Sequence, residues 1–173
     1  MSSTAILLHL LLLSFSLGAT SSPQPSLPAN IWIHPDLRTT VARLWEGSPT
    51  FRAQCERIRQ HPHYMVNITI DPRLTNDRYC RAQCVMRVYS SGLVIASITV
   101  PDMPHLNAEL IPHEFEHVIE RIDGINLRVA AAQHRPGVFS LNDGRIETER
   151  AKRVGKQAYQ EVQARTTLVA LKR

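Results

Sequence analysis

The run His113-Glu114-Phe115-Glu116-His117 constrains the fold more than any other stretch of this chain. Two histidines four positions apart point the same way on an α-helix, so His113 and His117 can grip one metal ion only if the segment is helical. Glu114 then lies about 100° further round the helix, beside the metal, where a base can take a proton from an activated water. Three ligands from one straight helix surround a metal poorly, and a catalytic site needs three protein ligands and an open position. The fold must therefore carry a second element up to this helix face.

The flanking residues agree with a helix. Asn107 is an N-cap candidate, and Ala108, Ile111, Phe115, Val118, Ile119 and Ile122 recur at three- and four-residue steps as one apolar stripe. Asp123-Gly124 supplies the stop. Pro112 lacks a backbone donor, so the helix is expected to begin at or just before it, with His113 in or near the first turn.

Upstream, Ser48-Pro49 reads as a helix start, with Phe51, Cys55 and Ile58 as its buried stripe and an end near His61-Pro62. An earlier helix is expected over residues 37–45. Residues 64–70 alternate as a strand does, and residues 84–89 and 93–100 flank Ser90-Ser91-Gly92 as a β-hairpin. Asn67-Ile68-Thr69 has the form of a glycosylation sequon, inside the first of these strands. After the motif come a short helical turn over 127–132, loops at Pro136-Gly137 and Asn142-Asp143-Gly144, and a last helix over 145–171. The expected class is α+β: a small antiparallel sheet packed against helices, with the motif helix and a C-terminal helix on one face.

The first 13 residues include the apolar run Ala5 to Leu13, too short to span a bilayer comfortably, followed by small residues from Gly18 to Ser22. We read residues 1–22 as a signal peptide, 23–36 as a flexible proline-bearing leader, and 37–173 as one domain of sufficient size for a single core. The expected location is secreted or periplasmic, with no membrane span after cleavage. An oxidising compartment permits one disulfide among Cys55, Cys80 and Cys84, or none. The formal charge of +5 comes from dispersed Lys and Arg mixed with many carboxylates, which carries no nucleic-acid footprint and supports at most weak attraction to acidic surfaces.

Four downstream residues are candidates for the third ligand: Glu120, His134, Glu147 and Glu149. Glu120 lies three residues past His117 on the same helix face and is better placed to orient a histidine ring. Glu147, 30 residues beyond His117, can approach from a separate element, as tetrahedral coordination wants. Glu149 is the alternative.

With His113, Glu114 and His117 followed by Glu147, the sequence resembles the gluzincin metallopeptidases, most closely their minimal single-domain members. The likeness covers residues 64–158, and only the five-residue motif within it is specific. It implies a zincin-like fold, one Zn²⁺ held by His113, His117 and a glutamate on a later helix, and Glu114 as general base. It also implies a peptide substrate aligned along the strand ahead of the motif helix, residues 93–100. The stretch Glu147-Thr148-Glu149-Arg150-Ala151 departs from the commoner pattern of that clan, so Glu147 and Glu149 both stay open here. Metzincins are excluded, because Glu120 and Asp123 stand where their glycine and third histidine belong.

The function expected is secreted, zinc-dependent hydrolysis of peptide bonds; the alternative is a non-catalytic zinc-binding module on the same scaffold, against which the presence of Glu114 argues. A di-iron helical site needs a second E-x-x-H, which this chain lacks. His134 and Tyr159 are conceivable oxyanion donors without support from spacing.

Overall fold

The alternation read in residues 64–70 is a strand, β2 (Tyr64–Ile70), which buries Tyr64, Val66 and Ile68 on one side. Its neighbour β4 (Val94–Val100) buries Val94, Ala96, Ile98 and Val100 in the same rhythm. One face of the sheet is therefore apolar and must be covered. The computed structural model describes residues 27–76 and 82–171, and it covers that face with helices.

Two short strands complete the sheet, β1 (Ile31–Ile33) and β3 (Gln83–Val88), in the order β1-β2-β4-β3. The sheet is mixed, not antiparallel: β1 runs parallel to β2 and β2 parallel to β4, while β3 alone is antiparallel to β4. The hairpin between residues 83 and 100 has the expected pairing, but β4 is an inner strand. The edge expected at residues 93–100 belongs to β3, because β4 is inserted between β2 and β3. Residues 31–33, read as part of a flexible leader, are the other edge strand, and residues 35–37 form a 3₁₀ turn leading into the first helix.

Helix α1 (Arg38–Gly47) is followed by α2 (Pro49–Arg59), with Ser48 between them accepting the Phe51 N–H at 3.0 Å and Pro49 at the first helical position. Helix α3 (Pro104–Ile122) carries the motif. It starts at Pro104, eight residues earlier than expected, and Pro112 lies inside it; Asn107 is no N-cap but a buried helical residue donating to the Pro101 carbonyl at 3.0 Å. An internal proline costs about 3 kcal/mol. Full burial of Ile111, Phe115 and Val118 against the sheet and neighbouring helices outweighs that cost. Phe115 meets Phe51 with ring centroids 5.3 Å apart, tying α3 to α2.

Beyond Gly124, whose φ of +78° suits the helix stop, α4 (Leu127–Ala132) is the expected short turn. A small antiparallel ribbon not foreseen in the sequence follows, β5 (Val138–Ser140) with β6 (Ile146–Thr148), before the last helix, α5 (Glu149–Ala170). Helix α5 packs directly on α3. Gly155 makes this possible, because a Cβ there would stand 2.8 Å from the Glu109 carbonyl oxygen and 2.9 Å from His113 Cβ.

The expected signal peptide, the start of the leader to residue 26, and Cys80 lie outside the described residues. Cys55 and Cys84 are not bonded to one another. Among the described residues no helix is long and apolar enough to cross a membrane.

Candidate metal centre

Helix α3 places His113 and His117 one turn apart, with ring centroids 5.2 Å apart. The strand β6 then delivers Glu147 to the same point. Glu147 Oε1 lies 3.3 Å from His113 Nε2 and 3.7 Å from His117 Nε2, and the three ligand atoms all fall within 4.8 Å of one another. Tetrahedral ligands about 2.1 Å from an ion stand about 3.4 Å apart. The spacing of this trio matches that requirement, so His113, His117 and Glu147 could hold a metal ion.

Supporting contacts orient His117 and Glu147. His117 Nδ1 donates to Glu120 Oε2 at 2.9 Å, which leaves the Nε2 lone pair facing Glu147. Glu120 is buried, and its other oxygen accepts the Thr148 hydroxyl at 2.7 Å. Thr148 is in turn the N-cap of α5, accepting the Ala151 N–H at 3.0 Å, and its own N–H donates to Glu147 Oε1 at 2.7 Å. A continuous chain of hydrogen bonds thus runs from one histidine to the glutamate beside it. Glu120, expected to orient a histidine ring, makes this contact with His117, and Glu149 is not part of the trio.

Glu147 was expected near the start of the last helix but sits in β6, one residue before the cap that begins α5. A strand followed at once by a capped helix aims its penultimate side chain at α3 while the helix packs alongside. This departs from the helix-borne glutamate of the gluzincins.

Electrostatics separate the two glutamates of the site. Glu114 is buried, and burial, with the nearby charge of Glu147, pushes its carboxyl above the ordinary range despite opposing charge from His113, His117 and Arg145. Burial also works against the Glu147 carboxylate, but the His113 contact, the Thr148 N–H and His117 outweigh it and hold Glu147 below the ordinary range. His117 is held above its ordinary value: burial opposes protonation, and the Glu120 hydrogen bond and the surrounding carboxylates win.

The trio opens onto a cleft of about 500 Å³. One wall is β3, from Gln83 to Met86; the other is the chain around residues 125–128 and 141–147. Cys84 lines it near Glu114, and burial, then that charge, pushes its thiol up. His134 and Tyr159 are not among the cleft residues, so neither expected oxyanion candidate faces the site. Arg145 does line it, fixed by Asp143 at 2.8 Å from Nε, and its charge reaches Glu114. No sequence signal singled out Arg145; its place depends on the unforeseen ribbon.

Comparison with protein-family models, with curated proteins and with solved structures gives no match. The resemblance to gluzincins therefore rests on His113, Glu114, His117 and the approach of Glu147 alone.

Proposed function

We propose that this protein is a zinc-dependent peptidase, with His113, His117 and Glu147 as the metal ligands and Glu114 as the general base. The observation that carries this reading is the approach of Glu147, 3.3 and 3.7 Å from two imidazole nitrogens, beside a fourth residue, Glu114, that the ligand set does not use. The donor set of two neutral imidazoles and one carboxylate suits zinc and leaves room for a water or substrate. A purely structural site has no need of Glu114.

A bound zinc ion supplies Lewis acidity, polarising a carbonyl oxygen and lowering the pKa of water. Glu114 takes a proton from the attacking water at a carboxylate oxygen and passes it to the leaving amine as the C–N bond breaks. Glu120 holds the His117 ring in one tautomer and one orientation. Arg145 is the group we assign to the developing oxyanion. Strand β3 is the terminal strand of the sheet and lines the cleft, so an extended peptide pairing with its outer edge would pass the trio. A secreted or periplasmic location belongs to the same proposal and rests on the apolar run near the N-terminus.

The deciding experiment is Glu114→Gln assayed on blocked peptides, with zinc measured in the same preparation. Loss of cleavage with zinc retained supports the assignment. A wild-type protein that holds zinc and cleaves no peptide would favour the non-catalytic module instead.

A further inference from the structure

We propose that the cleft selects peptides with acidic side chains, and that Arg121 and Arg128 are the residues that recognise them. This rests on the peptide-binding reading of the cleft given above. The two arginines come from different elements, α3 and α4, and both line it.

Arg121 follows His113 and His117 at the same four-residue step along α3, so it continues their row one turn further, about 6 Å along the axis from His117. Arg128 is the second residue of α4, just beyond the stop that ends α3. Both line the cleft. Asp123, which lies between them in the chain, is turned to Arg57 at 3.1 Å and to Arg150 at 2.8 Å. Among the described residues, the side chains of Arg121 and Arg128 take part in no hydrogen bond or ion pair, and the Arg121 carbonyl accepts from the Tyr64 hydroxyl at 3.4 Å.

Among the described residues, five other arginines pair with carboxylates: Arg57 with Asp123, Arg59 with Glu56, Arg73 with Asp71, Arg145 with Asp143, and Arg150 with Glu116 and Asp123. A cation suits the last turn of α3, so Arg121 also serves its helix. Arg128 has no such return. It stands in the first turn of α4, where the helix dipole disfavours a positive charge and no acidic residue balances it.

The acidic residues lining the cleft are Glu114 and Glu147, both committed to the metal centre. The rest of the wall is apolar, with Val85, Met86, Ile125 and Leu127, neutral polar, with Gln83 and Asn126, or cationic. A peptide laid along β3 would meet, in the one cleft, the carboxylates of the metal centre and these two guanidinium groups. Guanidinium forks pair with carboxylates in two parallel hydrogen bonds. A lysine-bearing peptide would meet only like charge there.

The test is binding of three blocked peptides, identical except for a pair of Glu, Gln or Lys residues, followed by fluorescence anisotropy. The zinc-loaded full-length protein carries Glu114→Gln so that no peptide is consumed. The Glu peptide is expected to bind at least about tenfold tighter than the Gln peptide, the effect of one good charge-assisted pair, and to lose that margin in high salt. Arg121→Gln with Arg128→Gln should erase the margin and leave the Gln peptide unchanged, while Arg121→Lys with Arg128→Lys should keep part of it. Equal binding of the Glu and Gln peptides, binding of neither, or a margin that survives the Gln substitutions overturns the proposal. Selective binding of the Glu peptide by a wild-type protein that cuts nothing would sustain this inference and sink the hydrolytic one. Cleavage of Glu, Gln and Lys peptides at equal rates would do the reverse.

Discussion

The hydroxyl of Thr148 donates to Glu120 Oε1 at 2.7 Å, locking the helix that carries both histidines to the residue next to Glu147. Through this bond the cap of α5, the orientation of His117 and the position of Glu147 become one construction. Substitution of Thr148 by Val keeps its shape and removes both hydrogen bonds of its hydroxyl. We expect a loss of about 1–2 kcal/mol from the missing cap and roughly tenfold weaker zinc binding from the freed Glu120. Thr148→Ser should restore both. Thermal unfolding and competition with a chromophoric chelator read the two effects separately, and unchanged zinc affinity in Thr148→Val would show that the link is idle.

Gly155 sits at the crossing of α5 and α3, with the backbone of Glu109 and the Cβ of His113 in the way of any side chain. Alanine is ordinarily favoured over glycine in a helix by about 1 kcal/mol. Here Gly155→Ala should instead destabilise the protein by about 1–3 kcal/mol and weaken zinc binding by the proposed site, because the helices must part at His113. A more stable variant with full zinc affinity would contradict the packing described.

Glu161 accepts from the Ser48 hydroxyl at 2.5 Å and from the Thr50 hydroxyl and N–H at 2.7 and 3.1 Å, joining α5 to the start of α2. Burial raises its pKa, but these donors more than reverse that and hold it below the ordinary carboxylate range. A depressed folded-state pKa stabilises the fold above the unfolded-state value, and the contribution disappears as pH falls through the folded-state value. Glu161→Gln should therefore cost up to about 1 kcal/mol near neutral pH, solvent screening of this partly exposed carboxylate included, and less at acid pH where the carboxylate is protonated. Denaturant titrations at the two pH values check this, and an equal loss at both would contradict it.

Glu116, one of the unspecified positions of the motif, has a structural task. It is buried, with Gln54 Nε2 at 2.7 Å from one oxygen and Arg150 Nε at 2.6 Å from the other. Arg150→Met should leave that charge with a single partner and cost about 2 kcal/mol, seen as a lower midpoint in chemical denaturation. The double variant Arg150→Met with Glu116→Gln should recover part of the loss; no recovery would show that the two residues act independently.

What was legible in the sequence was local. Ser48 and Pro49 mark a helix start by the chemistry of one turn, and the alternation of residues 64–70 and 94–100 survives in the buried faces of β2 and β4. The trio of His113, His117 and Glu147 was also legible, since a metal needs a ligand from a second element and Glu147 could reach. Non-local pairing was not. The parallel neighbours of β2 depend on crossovers that no short window records, and β1 is only three residues long. Pro112 misled because the local cost of proline says nothing about how much apolar surface α3 buries. The ribbon of β5 and β6 pairs three residues with three, too few for a periodic signal, yet it sets Glu147 and Arg145 in place.

Metal content per chain of the purified protein, compared with His117→Ala and Glu147→Ala, tests the central claim most directly. The account predicts about one zinc ion in the wild type and its loss in both variants, with the fold retained by circular dichroism. A wild type that takes up no zinc when it is supplied, or a Glu147→Ala variant with full zinc content, would contradict it.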